Sequence, residues 1–249
     1  MSFPIGLLAG LFGGLLGIGG GFVMIPFMVG VMKLTQIKAH GTSLAAMIFL
    51  ALSGAATYGL QGSVDIPASG ILAFSATLAA HYGARYASFL SERKLKRSFG
   101  IFLVIAAGLL FLKPYLPPLA LFAHGLSKVL VLLGTGAVTG FLSGMMGVGG
   151  AVVMIPAMVV FAGIDQHTAQ GSSLLTMIPA GIVGAFTHLR FGNVEKSLLW
   201  GLIPGVFMGT YLGGTIAHRL PDQVLRVVFA MLVTWTAYVN IRAKVPNGL

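Results

Sequence analysis

Apolar positions run through this chain in long blocks separated by short polar connections. Eight blocks can be drawn, at about 4–32, 40–60, 66–90, 98–122, 127–162, 170–190, 197–218 and 223–243. Most are close to the ~20 residues that a helix needs to cross a bilayer. The pattern therefore predicts an all-α integral membrane protein. Blocks one and five are too long for simple helices, and each carries a glycine cluster, Gly17 to Gly21 and Gly147 to Gly150. Glycines at such close spacing are poor helix formers. Each long block reads as two half-helices, about 4–16 and 21–32 in the first, with the fifth built alike.

These clusters belong to an internal duplication. Gly6 to Asp65 reappears without a gap, at a constant offset of 130, as Gly136 to Glu195. Its clearest core is Gly17-Ile-Gly-Gly-Gly-Phe-Val-Met-Ile-Pro26 against Gly147-Val-Gly-Gly-Ala-Val-Val-Met-Ile-Pro156. Beyond Glu195 the match weakens but continues, pairing Leu72 with Leu202, Gly83 with Gly213 and Phe99 with Phe229. Two tandem repeats of about four segments each follow, 1–122 and 123–249. The boundary falls near 113–128, where Lys113-Pro-Tyr-Leu-Pro-Pro118 breaks helical structure. Rows of glycine at every fourth position (Gly6, Gly10, Gly14; Gly136, Gly140, Gly144; Gly201, Gly205, Gly209, Gly213) suit close helix packing in lipid.

The broken segments can run straight through the membrane or fold back as re-entrant hairpins. In the first case each repeat has four spans and the repeats are parallel; in the second it has three and they are inverted. The hairpin arrangement gathers Lys33, Lys38, the 93–97 basic run, Arg190, Lys196, Arg242 and Lys244 on one side, against Lys113, Lys128, Arg219 and Arg226. The crossing arrangement divides the basic residues more evenly. The hairpin split obeys the positive-inside rule better, with both termini cytoplasmic.

Composition narrows the class. Hydrophobic residues make up 57% of the chain and charged ones 8%, against roughly 25% charged in an ordinary soluble domain. The net charge of +10 resides mostly in short connections, the pattern of cytoplasmic membrane loops and not of a nucleic-acid-binding surface. No basic region precedes the first apolar block, so a cleaved signal peptide is not expected. Cysteine is absent, which excludes disulfides and thiolate chemistry. The five acids (Asp65, Glu92, Asp165, Glu195, Asp222) all fall at predicted segment ends, which leaves no carboxylate proton relay in the core. Asp65 and Glu195 follow Gly62-Ser-Val and Gly192-Asn-Val and read as turn and helix-start chemistry.

The candidate chemistry is anion binding. In each long block the second half-helix starts at the cluster (Gly19, Gly20, Gly21; Gly149, Gly150, Ala151), turning free N–H groups and a positive dipole end to the membrane interior. The string His40-Gly-Thr-Ser-Leu44 pairs with Gln170-Gly-Ser-Ser-Leu174. Hydroxyls at a helix start cap N–H groups or hold an anion's oxygens, which makes Thr42, Ser43, Ser172 and Ser173 the side-chain candidates. Gln36 and Gln166 precede these strings as amide donors or as ordinary surface-loop residues. His40 and Gln170 occupy equivalent positions, as do Thr57-Tyr58 and Thr187-His188. His81, Arg85 and His188 are ionisable groups in or beside apolar blocks, hence candidates for proton coupling, or interfacial residues that snorkel. Neither cofactor nor metal is expected, since no metal-ligand spacing, ATP motif or acid/base pair for an enzyme is present.

With its Gly-x-Gly-Gly-Gly-x-x-x-x-Pro pattern and copy, its Gly-Thr-Ser-Leu and Gly-Ser-Ser-Leu strings, Gly192-Asn-Val-Glu195 and the 83–97 run, the chain resembles the TauE/SafE family of sulfite exporters, also grouped as toluene-sulfonate uptake permeases. The resemblance covers nearly the whole chain. It implies a multi-spanning inner-membrane transporter whose partners are the lipid bilayer and a small sulfur-containing or organic anion such as sulfite, a sulfonate or sulfoacetate. An anion channel on the same scaffold is the main alternative, and a homodimer is compatible with the sequence.

Overall fold

The fold is taken from a computed structural model, which describes residues 2–87, 104, 108, 125–146 and 150–242, with backbone alone for 36, 81, 83–87, 144–146, 187, 236–237 and 239–242. Among these residues the chain is helical and has no strand. The helices are α1 (Ser2–Leu16), α2 (Gly21–Gly30), α3 (Gln36–Leu60), α4 (Ile66–Ala87), α5 (Gly125–Met146), α6 (Ala151–Val160), α7 (Gln166–Arg190), α8 (Lys196–Ala217) and α9 (Asp222–Arg242). All of the expected segment at 98–122 but residues 104 and 108, the 93–97 basic run and most of the repeat boundary lie outside the described residues.

Four of these helices, in α3, α5, α7 and α8, are long and apolar enough to cross a membrane. At 1.5 Å per residue the 25 residues of α3 reach about 37 Å, more than the ~30 Å hydrocarbon core. Around an apolar core, many large apolar side chains face outward and several polar ones are fully enclosed: Trp200 is 87% exposed and Leu60 85%, while Gln166, Gln170, Thr42 and Ser173 are at 0%. Lipid is the solvent that makes this distribution favourable, because apolar side chains can face it and polar ones must pair inside.

The two halves of the sequence fold with matching bounds. Helices α2, α3 and α4 start at 21, 36 and 66, and α6, α7 and α8 at 151, 166 and 196. Helices α3 and α7 begin four residues ahead of their apolar blocks, because Gln36 and Lys38, like Gln166 and His167, are polar residues that an apolar window leaves out. Each half is completed by the other. α1 lies parallel to α8 and α4 parallel to α5, with Gly6 against Leu202, Gly10 against Val206, Gly136 against Leu72 and Gly140 against Ala76. A Cβ on Gly10 would stand 2.5 Å from the Val206 carbonyl oxygen, so the backbones touch where only glycine fits.

α3 and α7 form the centre and run antiparallel. Gly41 meets His188, Gly184 meets Leu44, Gly181 meets Ile48 and Gly171 meets Tyr58. As one number rises the other falls.

Candidate functional site

The helix that starts at Ser2 stops at Leu16, and Gly17 and Gly19 adopt φ of 69° and 75°, the left-handed region that a side chain disfavours. The chain then turns back along α1. A Cβ on Gly20 would stand 2.9 Å from both the Cβ and the carbonyl oxygen of Ala9 and 3.0 Å from Leu50 Cδ1. In an unbroken helix residue 20 would lie about 16 Å beyond residue 9. Gly150 sits against Thr139, the residue equivalent to Ala9, so both copies reverse in the same way. α2 thus begins beside the middle of α3. Its N-cap, Gly20, offers no side chain, and its carbonyl accepts from Val23 (3.1 Å) and Met24 (2.9 Å), which leaves the N–H groups of Gly21 and Phe22 without helical acceptors.

Gln170, Ser173 and Met177 of α7 face this reversal. Gln166, one turn before Gln170, continues their stripe at spacings of four, three and four, one face of a helix, and all four are buried. The Gln170 Cβ lies 2.7 Å from where a Cβ of Gly17 would be, and the Ser173 hydroxyl faces the Gly17 and Gln170 carbonyls, each at 2.8 Å. Met177 and Met47 bring their methyl groups to Gly19. Met47 ends the equivalent stripe of α3, Gln36, His40, Ser43 and Met47. The Tyr58 hydroxyl is bifurcated between the Gly14 carbonyl and Gln170 Oε1, both at 2.9 Å. The NH2 group of Gln170 and both polar atoms of the Gln166 amide are buried without a hydrogen-bond partner. A buried amide without a partner costs about 1–3 kcal/mol. A ligand accepting from these donors would recover that cost.

Gln166 is thus a core residue and not a surface-loop one. The hydroxyl strings also sit differently from expectation. Thr42 and Ser43 lie in the second turn of α3, not at its start, and donate back along the helix, Thr42 to the Lys38 carbonyl (2.7 Å) and Ser43 to that of His40 (3.0 Å). Thr42 accepts from the Glu195 backbone N–H at 2.9 Å, and Ser172 accepts from that of Asp65 at 2.9 Å. Each of these two hydroxyls therefore holds the loop of the opposite half. Gly41 and Gly171 next to them let the Asn193 and Ser63 carbonyls approach. Asp65 caps α4 through Ala68 N–H (2.9 Å) and pairs with Lys128 (3.1 Å); Glu195 pairs with Lys38 (3.8 Å).

Thr57 is buried and donates to the Ser53 carbonyl within its own helix, at 2.8 Å. His40 and His188 are half-buried at the other end of the α3–α7 pair. Gly149 and the side chains of Gln36, His81, Arg85 and Thr187 lie outside the described residues. Asp165, His167 and Asp222 bring three ligand-type atoms within 4.8 Å, a group not apparent from sequence spacing. There His167 Nδ1 meets Asp222 and Nε2 lies 3.1 Å from the Ala217 carbonyl, tying α7 to α9 and to the end of α8. Tyr58, Met47 and Met177 were not among the sequence candidates. The shared spacing Gln-x3-His/Gln-x2-Ser-x3-Met was the signal that would have found the methionines.

The family model described as "Sulfite exporter TauE/SafE" matches residues 2–239. The chain belongs to the TauE/SafE sulfite exporter family. It is 27% identical to the probable membrane transporter protein YunE of Bacillus subtilis (strain 168), over 97% of this chain and 99% of that one. A probable membrane transporter protein of Xylella fastidiosa (strain 9a5c) is 30% identical over 92% and 89%. Sulfite exporter TauE/SafE family protein 5 of Arabidopsis thaliana is 28% identical over 40% of this chain and 22% of its own. No solved structure matches the chain significantly. With its apolar spanning helices, this TauE/SafE member is a multi-pass membrane transporter, and neither the family nor these relatives are named as enzymes.

Proposed function

We propose that this TauE/SafE protein is a secondary transporter that carries a small sulfur-containing or organic anion, of the sulfite, sulfonate or sulfoacetate class, across the inner membrane by alternating access. The observation that carries the reading is the buried α7 stripe with unpartnered amides, set against an unwound glycine segment that opens an uncapped helix. Such a helix end attracts an anion through its N–H groups and dipole. Neutral amides and hydroxyls on the stripe can share the anion's oxygens without neutralising its charge, as release on the far side requires. The family's description as sulfite exporters supports the class of anion; the physical chemistry asks only for a small one.

Two further features support alternating access. Equivalent helices α3 and α7 run antiparallel, as inverted repeats require, and the reversal at Gly17–Gly20 supports reading α1 and α2 as a discontinuous, re-entrant pair. The repeats 1–122 and 123–249 then form one membrane unit whose centre is α3 with α7. Gly19, Gly20, Gly21, Ser173, Gln166 and Gln170 are the binding residues in this reading, with Gly150, Ala151 and Ser43 on the second copy.

Reconstituted into proteoliposomes and offered sulfite, sulfonates, sulfate and carboxylates, the protein is expected to show saturable uptake of sulfite or a sulfonate. Gln170→Leu should raise KM about tenfold, the loss of one buried hydrogen bond to a charged group. Transport of a cation alone would overturn the reading. Flux that never saturates would turn it to a channel.

A further inference from the structure

The two ends of the α3–α7 pair share a frame but not a chemistry. At one end Gly171 packs on Tyr58 and the Ser63 carbonyl, and Ser172 holds Asp65 N–H; at the other Gly41 packs on His188 and the Asn193 carbonyl, and Thr42 holds Glu195 N–H. The Cβ of Tyr58 lies 2.8 Å from the Cβ position of Gly171, and that of His188 lies 3.0 Å from that of Gly41. Within this repeated frame, Tyr58 reaches Gln170 at the first end, and the residues at the same two positions of the second are His188 and His40. Tyr58 with Gln170 is a neutral crosslink, since neither gains or loses a proton near neutrality. The histidine pair replaces it with two imidazoles, the side chain whose ordinary range lies nearest neutrality.

We infer that the His40–His188 end takes up the proton that accompanies the anion, while the Tyr58–Gln170 end stays neutral. His188 Nδ1 is buried without a hydrogen-bond partner, so one ring nitrogen is uncommitted to the fold. The other titratable and charged groups on the elements packed here are Lys38 of α3, Arg190 beside it on α7, Lys196 of α8 and Glu195 of the connecting turn. Arg190 stacks 4.4 Å over the Phe186 ring, and Glu195 pairs with Lys38. The cations disfavour two protons on the pair at once, so uptake is of a single proton. An arriving anion offsets that charge, so the anion and the proton favour each other's binding, the reciprocity that linked transport requires. The proton leaves with the anion when the pair opens to the other side. This inference rests on the anion reading of the preceding section.

The decisive variant is the double substitution His188→Tyr with His40→Gln, which writes the chemistry of the first end into the second. Proteoliposomes are loaded with a pH dye and offered sulfite, or methanesulfonate, which stays ionised and cannot itself carry the proton. Wild type is expected to accumulate anion under an inward proton gradient and to move protons with it. The double variant should keep anion counterflow within about threefold, which shows that it is folded, while gradient-driven uptake falls about tenfold or more. Proton-coupled uptake that survives in the double variant overturns the inference, as does wild-type uptake that ignores the gradient. Absence of saturable counterflow in wild type instead overturns the anion reading itself. Where the double variant loses counterflow, His188→Gln alone is put through the same two readouts with the same criteria.

Discussion

At the scale of single residues, polar groups inside this protein do two different kinds of work. Thr42 and Ser172 each hold a backbone N–H of the opposite half, so their hydroxyls are committed to the fold. Gln166 and Gln170 keep polar atoms that nothing in the described protein satisfies. The distinction can be measured. Thr42→Val keeps the shape but leaves the Glu195 N–H without its acceptor, a loss of about 1–2 kcal/mol. Its midpoint of thermal unfolding in detergent should drop while KM for the transported anion stays within about twofold, because about 0.4 kcal/mol or less is at stake in binding. Gln170→Leu should do the reverse in KM. If Thr42→Val instead raises KM tenfold at unchanged stability, the hydroxyl belongs to the anion site. Sequence alone could not separate these uses, since both residues stand in the same duplicated string and differ only in what the other half brings against them.

At the scale of elements, the packing rests on backbone contact. Gly6, Gly10 and Gly14 of α1 lie on Leu202, Val206 and Thr210, while Gly205, Gly209 and Gly213 of α8 lie on Phe3, Leu7 and Leu11. In lipid no hydrophobic drive presses two helices together, so close van der Waals fit must supply the association. Gly10→Ala is therefore expected to destabilise by about 2 kcal/mol, in the range of overpacked cores. Gly70→Ala on α4, where a Cβ would meet nothing within 4 Å, should leave stability unchanged or slightly raise it through helix propensity. Comparing the two melting temperatures checks this, and an unaffected Gly10→Ala would deny the contact. These rows were visible in the sequence as glycines at every fourth position, and the helix break at 17–20 was visible as a cluster. What the sequence left open was the direction after the break, because Gly17 and Gly19 permit a bend without specifying it. The contact of Gly20 with Ala9 decides that, and it depends on atoms distant along an unbroken helix.

At the scale of the whole molecule, the antiparallel α3–α7 pair determines how the chain must sit in a bilayer. Both helices are long enough to span, and each is followed by a short turn at equivalent positions, Gln61-Gly62 and Phe191-Gly192. If α3 points to one side, α7 must point to the other, so the two turns emerge on opposite faces although their sequences are copies. The parallel arrangement would put both on the same face. The duplication alone fits either case, and the basic residues favour the first only as a bias. Absence of native cysteine makes the test direct. Gln61→Cys and Phe191→Cys both replace exposed residues outside the left-handed glycine positions, so neither should disturb the fold. In intact cells a membrane-impermeant maleimide should label Gln61→Cys and not Phe191→Cys, and after lysis it should label both. Equal labelling in intact cells would rule out inversion. It would also remove the structural basis for alternating access, since two halves of the same orientation cannot present one site to the two sides by exchanging their conformations.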